Sequence, residues 1–289
     1  MKRYRRILYL VEGEPVRDSA LQRVLDLAAA FEGRITLARL AGRGDDHADL
    51  EGRLRGFLAG LETPVPVTPA VLPADPEDLL AAIAAEAWDL VAKKAQPDDS
   101  LTRYLFGTLD TTLVERVAAP VLIEKPTPHE RFARILAAVD LTDERALETL
   151  ILDHAVSIAR MERARVVVCH VWHLEGEEGM RGRAFTDRAR RAIERMKEEE
   201  TRRRRSVLET LLAPFTEFGV EIALEVHEGP PALTIVETAE RHGIDLVVMG
   251  THVHSHLEGL ALGSTAEAVL RRIRCALLAV KPPDFAVRR

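Results

Sequence analysis

Cysteines, aromatic residues and long apolar runs are all scarce in this chain, and each scarcity excludes a class of protein. Cys169 and Cys275 are the only cysteines, and both lie inside apolar runs, so we expect buried thiols in a reducing compartment and no disulfide framework. Aromatic residues make up 4% of the chain, which argues against stacking platforms for single-stranded nucleic acid. The first apolar run, residues 7–11, ends at Glu12 and is too short for a signal peptide or a membrane span. These features predict a cytoplasmic location and no membrane partner.

Positive charge is also not in excess. The formal net charge is -6, so we expect no general binding to DNA or RNA, which depends on neutralising phosphates. The length of 289 residues, the 47% hydrophobic content and the 30% charged content are typical of a globular protein with one large domain or two ordinary ones.

Short apolar runs alternate with segments of helical spacing along the whole chain. Residues 7–11 and 35–40 have the composition of buried strands, and residues 18–31 between them have apolar positions at helical spacing. Two prolines in the third strand-like run, residues 65–72, indicate an edge strand. This alternation predicts an α/β fold whose sheet is mostly parallel and is covered by helices on both faces.

The chain also repeats itself. A shift of 156 residues, the distance from Gly107 to Gly263, aligns the closing parts of two halves without a gap. The division lies near residue 127. We therefore predict two tandem domains, 1–126 and 127–289, each with a five-stranded, mostly parallel, doubly wound sheet.

The closing segment of the second copy has the pattern of an anion site. A strand-like run ends at Gly250, a polar connection leads to Gly263, and a helix then begins. Ser264 at the N-cap with Glu267 three residues on predicts a capping box. The hydroxyls of Ser264 and Thr265, together with free backbone amides and the helix dipole, favour an anion at this edge of the sheet.

This segment resembles the end of the universal stress protein family, whose nucleotide-binding members carry Gly-x2-Gly-x9-Gly-Ser/Thr. The tandem arrangement and the Cys-x-Leu-Leu-x-x-Lys-Pro ending at residues 275–282 resemble the two-domain E type. The resemblance implies an adenine-nucleotide α-hydrolase-like fold and ATP with Mg²⁺ as the ligand. Val253 departs from the pattern, because it stands where the family has the middle glycine and its side chain would hinder a phosphate that approaches the backbone.

The resemblance also implies a set of ligand residues in the second copy. Asp140 would lie beside the adenine or the ribose, although an acid here could instead cap a helix. The remaining members of the implied set are Gly250, Thr251, His252, Gly263, Ser264 and Thr265.

The first copy departs from this set in three ways. It has Glu12 in place of Asp140, Lys94 in place of Gly250 and an acid, Asp110, in the first turn of its last helix. Since that acid would repel phosphate, we predict that this half binds no nucleotide.

Three functions stay open from the sequence. The first is a stress-response protein that binds an adenine nucleotide through its second domain. The second is an interaction or scaffold protein of the same fold that has lost nucleotide binding, and Val253 separates these two. The third is a weak ATPase, which ranks last because the sequence contains no Ser-His-Asp context, no G-x-S-x-G elbow and no full Walker A motif.

Two charged stretches allow a functional and a simpler interpretation. His252, His254 and His256 alternate, as metal ligands can, but a solvated loop without a metal is the preferred interpretation. Arg202 and the three arginines after it follow three glutamates at helical i,i+4 spacing, which predicts a salt-bridged helix face and no nucleic-acid site.

The last strand of each copy, residues 121–124 and 277–280, is apolar and would lie at a sheet edge. The resemblance implies dimerisation through this strand. We therefore predict that the two final strands pair within the chain, with a further homodimer as an additional possibility.

Overall fold

The structure is a computed structural model that describes residues 3–95, 97–98, 103–104, 108–125, 131–141, 145–174, 187–251, 262–283 and 285. Its strands are β1 (Arg6–Val11), β2 (Arg34–Ala41), β3 (Val67–Pro73), β4 (Leu90–Lys94), β5 (Pro97–Asp98), β6 (Arg103–Tyr104), β7 (Val121–Glu124), β8 (Arg134–Ala138), β9 (Arg165–Trp172), β10 (Ile222–Glu228), β11 (Leu246–Gly250) and β12 (Ala276–Val280). Its helices are α1 (Ser19–Ala30), α2 (His47–Ala59), α3 (Pro76–Ala84), α4 (Thr108–Arg116), α5 (Arg145–Glu162), α6 (Asp187–Leu212), α7 (Pro231–His242) and α8 (Ser264–Arg272).

Ten of these strands form one continuous sheet, in the order β10-β9-β8-β11-β12-β7-β4-β1-β2-β3. Five of them precede residue 125 and five follow residue 131. Every neighbouring pair is parallel except β7 with β12, which is antiparallel. The predicted α/β fold with a mostly parallel sheet is confirmed, and β3, with its prolines, is an edge strand as expected.

Apolar side chains fill both faces of this sheet. One buried cluster packs beneath α1, α2, α5 and α6, and the other packs beneath α3, α4, α7 and α8. Cys169 and Cys275 are buried free thiols within β9 and just before β12, as the apolar runs around them predict. Among the described residues, no helix is both long and apolar enough to cross a bilayer.

Aspartates cap the first three helices of the chain. The carboxylate of Asp18 accepts hydrogen bonds from the backbone amides of Ala20 and Leu21 at 3.1 and 3.0 Å. Asp46 and Asp75 cap α2 and α3 in the same way. A side-chain acceptor satisfies amides that have no partner inside the helix, which is why these helices begin where the sequence places an aspartate.

The structure differs from the sequence prediction in two connections. A short hairpin, β5 with β6, follows β4 and was not predicted. The sequence predicts a long helix over residues 186–215, but α6 ends at Leu212 and the chain continues as a 3₁₀ segment, Ala213–Phe218. Pro214 lies at the start of that segment and cannot donate the amide hydrogen bond that a longer α-helix would need.

The two halves meet along β7 and β12, which we call the seam. Leu122 lies opposite Leu278, and Ile123 lies opposite Leu277. Beside the seam, α1 and α5 face each other, and the hydroxyl of Tyr4 lies 2.5 Å from Nδ1 of His154. Apolar strand residues and buried polar contacts therefore join the halves into one sheet.

Candidate functional site

A cavity of about 370 Å³ opens at the carboxyl edge of the second half's strands. It lies beside β8, which has β9 on one side and β11 on the other. The strand order reverses at β8, and ligands of doubly wound sheets bind in the crevice at such a switch point. The volume is within the range of small-molecule sites, about 300–1,000 Å³.

Most of the ligand residues that the resemblance implies line this cavity. Met249 and Val171 contribute to its apolar wall. His252 lies outside the described residues, as does Val253. The six members of the implied set that line the cavity are Asp140, Gly250, Thr251, Gly263, Ser264 and Thr265.

The start of α8 differs from the prediction. Gly263 is the N-cap, Ser264 is the first helical residue, and no side chain caps the helix. The predicted capping box is therefore wrong. Glu267 pairs instead with Arg271, one turn further along the helix, at 2.7 Å. The Ser264 hydroxyl is therefore not used as a cap, and Ser264 lines the cavity at the first turn of α8.

Close packing against α5 explains the glycine at position 250. Gly250 is the last residue of β11, and a Cβ added there would come within 2.9 Å of the Leu147 side chain on α5. The glycine thus lets the strand lie close to α5. At the other end of the connection, the Gly263 amide donates to the Thr251 carbonyl at 2.9 Å, which ties the start of α8 to the end of β11.

Among the described residues, two charged side chains line the cavity, and both are acids. Asp140 is exposed at the end of β8, whereas Glu148 is buried on the first turns of α5. A carboxylate at the end of β8 can accept hydrogen bonds from ligand hydroxyl or amino groups. The described wall therefore suits an uncharged, hydrogen-bond-donating ligand group with an apolar face.

The corresponding region of the first half contains an internal cation. Lys93 is buried, and its ammonium pairs with Asp110 at 2.7 Å and also with Glu12. Lys94 pairs with Asp18 at 2.5 Å. Asp110 does stand in the first turn of α4 as predicted. Lys93 is not among the predicted site residues; the signal for it in the sequence is a lysine within β4 that is followed by an acid, Asp110, on the next helix.

No group of three or more His, Cys, Asp or Glu residues suitable for a metal ion occurs in the described ranges. His252, His254 and His256 lie outside them. His170 on β9 is a further histidine that could be a metal ligand, but both of its ring nitrogens already have neighbours. Its Nδ1 lies 3.0 Å from the Val139 carbonyl and its Nε2 lies 3.1 Å from the Arg204 guanidinium. Burial is the main cause that lowers the pKa of His170.

The charged face of α6 is a set of ion pairs, as predicted. Arg204 lies 2.8 Å from Glu200 and Arg202 lies 3.9 Å from Glu198. One partner differs, because Arg203 is near Glu200 at 3.6 Å and not near the predicted Glu199.

The fold and the position of the cavity define the class of protein, an α/β protein of the adenine-nucleotide α-hydrolase-like type. The sequence profile of the universal stress protein family matches residues 131–281. The chain belongs to the universal stress protein family.

Individual relatives agree with this assignment. A universal stress protein of Methanocaldococcus jannaschii is 33% identical over 130 residues, which span 45% of this chain and 72% of that protein. Universal stress protein E of Escherichia coli K12 is 27% identical over 198 residues, which span 68% of this chain and 62% of that protein. A functionally unknown protein from Pseudomonas aeruginosa PAO1 superposes with a TM-score of 0.76 at 26% identity and covers 97% of this chain and 94% of its own.

Proposed function

We propose that this chain is a cytoplasmic stress-response protein whose second half binds an adenine nucleotide. One observation carries the proposal. A ligand-sized cavity lies at the switch point of the second half's sheet, and it is lined by residues that the family motif and the end of β8 supply. The first half would not bind, because acids stand at the matching edge of its sheet, where Glu12 and Asp110 pair with the Lys93 ammonium.

Six of the lining residues have a stated role in this proposal. The Asp140 carboxylate would accept hydrogen bonds from the ribose hydroxyls. The apolar wall, which includes Met249 and Ile235, would contact the base. Gly263, Ser264 and Thr265 would hold the chain of atoms that leads from the ribose toward the phosphates. Mg²⁺ would accompany ATP and neutralise part of the phosphate charge.

Isothermal titration calorimetry with ATP and Mg²⁺ tests the proposal. Gly263→Val places two methyl groups at the entrance to α8, so we expect it to abolish the binding heat. Gly52→Val is the matched control, because nothing lies within 4 Å of a Cβ added at Gly52 on the remote helix α2. Equal heats from the wild type and from Gly263→Val would refute nucleotide binding at this cavity.

Val253 supports a second candidate, a scaffold or interaction protein that has lost the ligand. Its side chain stands at a position where the family motif has glycine. If nucleotide binds and Val253 hinders it, Val253→Gly should lower the dissociation constant. Native mass spectrometry of the purified protein separates the candidates, since a scaffold protein would carry no nucleotide. A weak ATPase is the third candidate, and phosphate release above that of the Gly263→Val variant would support it.

A further inference from the structure

The first half has a cavity of its own at the carboxyl edge of its strands, which we call the first-half cavity. Its volume is about 430 Å³, against about 370 Å³ for the cavity of the second half. It lies beside β1, where the strand order reverses because β4 pairs on one side and β2 on the other. Ligands of doubly wound sheets bind at such a point. The first half therefore has the place for a ligand, although it lacks the nucleotide motif.

The two cavities are equivalent in position. Glu12 and Asp140 follow the first strand of each half, and Thr108 and Ser264 are the first residues of α4 and α8. Each of these four residues lines the cavity of its own half. The chemistry of the two walls can therefore be compared position by position.

The groups that could attract an anion to the first-half cavity already have partners within the protein. Asp110 stands in the first turn of α4 and lies 2.7 Å from the Lys93 ammonium, so an acid already complements the positive end of the helix dipole. Among the described residues, Arg39 is the cation that lines the cavity. Its Nη1 donates to the backbone carbonyls of Glu12 and Leu40. An anion would have to compete with these contacts.

The remaining polar groups of the wall are hydrogen-bond acceptors. Glu12 and Asp45 line the cavity together with Thr108 and Thr112. The Thr112 hydroxyl donates to the Thr108 carbonyl at 2.9 Å, so its oxygen remains as an acceptor. Asp45 is exposed in the loop after β2, and its Oδ2 accepts from the Gly42 amide at 2.8 Å, which holds the carboxylate at the rim.

Glu12 is reachable for a ligand even though it has a partner. It pairs with Lys93, but its side chain is 28% exposed, and a carboxylate can accept several hydrogen bonds. An ammonium group has three N–H donors and no acceptor. Two carboxylates and two hydroxyl oxygens in one cavity therefore match an ammonium group better than a phosphate.

We propose that the first-half cavity binds a small aliphatic amine, whose ammonium group is recognised by Glu12 and Asp45. The described wall contains no aromatic ring, so a primary amine fits better than a quaternary ammonium ion, which aromatic side chains hold. The methylene groups would contact the apolar part of the wall, which consists of Leu40, Ala74 and Leu109. This site is separate from the proposed nucleotide site and does not depend on it.

Calorimetry with 1,4-diaminobutane tests the proposal, and 1,4-butanediol is the neutral probe of the same length. The diamine should bind and the diol should not. Asp45→Asn should lower the affinity for the diamine about tenfold, because a charge-assisted hydrogen bond is lost, while the amide oxygen can still accept from Gly42. Asp49→Asn is the matched control, because Asp49 is an exposed acid on α2 that pairs with Arg53 and does not line the cavity.

A steric variant provides a second measurement. A Cβ added at Gly42 would contact the Asp45 carboxylate at 3.5 Å, an ordinary van der Waals distance, so Gly42→Leu should fold and fill space beside Asp45. We expect it to abolish the binding of the diamine. Gly52→Leu should leave binding unchanged, because nothing lies within 4 Å of a Cβ added there.

The other outcomes would overturn the proposal. If the diamine gives no binding heat, or if the diol binds equally well, the cavity does not recognise an amine. If Asp140→Asn removes the heat and Asp45→Asn does not, the diamine binds in the second half. If Gly42→Leu and Asp45→Asn both bind the diamine as the wild type does, the amine lies elsewhere. The titration with ATP tests nucleotide binding separately, so either proposal can fail without the other.

Discussion

The ammonium group of Lys281, in the second half of the chain, donates a hydrogen bond to the backbone carbonyl of Val114 in the first half. Lys125 occupies the matching position of the repeat and donates to the Ile273 carbonyl in the second half at 2.5 Å. Both carbonyls lie near helix C-termini, at the ends of α4 and α8, where the dipole favours a cation. The two lysines therefore connect the halves reciprocally across the seam.

These lysines should make the stability of the protein depend on pH. Burial lowers the pKa of Lys281 to about 7 and that of Lys125 to about 8. In the unfolded chain a lysine keeps its proton up to about pH 10. Between pH 7 and 9 the unfolded state therefore binds more protons than the folded state, and the free energy of unfolding rises with pH by at most ~1.4 kcal/mol per unit for each lysine.

Urea denaturation at pH 7, 8 and 9 measures this dependence. The midpoint should rise with pH in the wild type and rise less in Lys281→Met. Lys94→Met is a control, because the Lys94 side chain is 37% exposed. Above pH 9 the increase in the free energy of unfolding should end. Burial raises the pKa of Cys169 and Cys275 to about 12, so these thiols lose their protons in the unfolded state at a lower pH than in the folded state, which opposes the effect of the lysines. A urea midpoint of the wild type that decreases from pH 7 to pH 8 would contradict the prediction.

The ion pair between Arg23 and Glu124 should be sensitive to the loss of one partner. The two side chains are 2% and 0% exposed, and Nη2 lies 2.6 Å from Oε2. Arg23→Met would leave a buried carboxylate without its main counterion, at a cost of about 3–5 kcal/mol in the free energy of unfolding. The double variant Arg23→Met/Glu124→Leu should recover most of this loss.

A matched surface pair provides the control for that experiment. Arg55 and Glu51 are also 2.6 Å apart, but their side chains are 69% and 44% exposed. Arg55→Met should change the free energy of unfolding by less than about 1 kcal/mol. If urea denaturation shows that Arg23→Met and Arg55→Met lower the free energy of unfolding equally, burial does not determine how much these ion pairs stabilise the protein.

The first half should not be a stable monomer by itself. Residues 1–126 without the second half would expose β7, whose four residues are buried in the full chain. An unpaired apolar edge strand associates with other strands, so we expect this fragment to dimerise or aggregate. Sedimentation velocity checks this, and the full chain serves as the comparison. A soluble, monomeric fragment would show that β7 does not need a partner strand.

One nucleotide should bind per chain. In the first half, Lys93 pairs with Glu12 and Asp110 at the carboxyl edge of the sheet, and we expect these charges to disfavour a nucleotide there. Native mass spectrometry with ATP should show a single addition to the protein mass. A second addition of similar affinity would mean that these charges do not prevent nucleotide binding in the first half.

Zinc binding at the three alternating histidines is a separate prediction. If His252, His254 and His256 bind Zn²⁺, the metal should raise the melting temperature, because it binds the folded state. The triple alanine variant should lose this shift, and His47→Ala, at an exposed position on α2, should keep it. An unchanged shift in the triple variant would assign the metal to another part of the chain.

The sequence predicts the sheet well because its signals are local. Runs of apolar residues mark the strands, and the aspartates at residues 18, 46 and 75 mark helix starts. The partners that side chains contact at the site are less predictable, because they also depend on how the chain packs. Glu267 follows the capping-box spacing, yet Arg271 on the next turn competes for it. Gly250 suggests a turn, and only the packing of α5 shows that Leu147 requires a glycine there.

Contacts between residues far apart in the sequence were the least predictable features. Nothing near Lys281 in the sequence indicates Val114, which lies 167 residues away. Similarly, Arg203 and Arg204 fit a solvated helix face by their spacing alone. Only the folded arrangement places them beside Arg145 and across Glu148 from the cavity of the second half.

The seam also has a consequence for how the two copies can change over generations. In a homodimer built from one gene, every substitution appears twice, so both subunits must keep a working site or lose it together. Here the antiparallel junction of β7 and β12 lies inside one chain. One copy could therefore acquire Lys93 and Asp110 while the other retained Met249 and Ala266 at the matching positions. Fusion of the duplicated genes thus allows one half to give up its ligand and still serve as the permanent partner of the other.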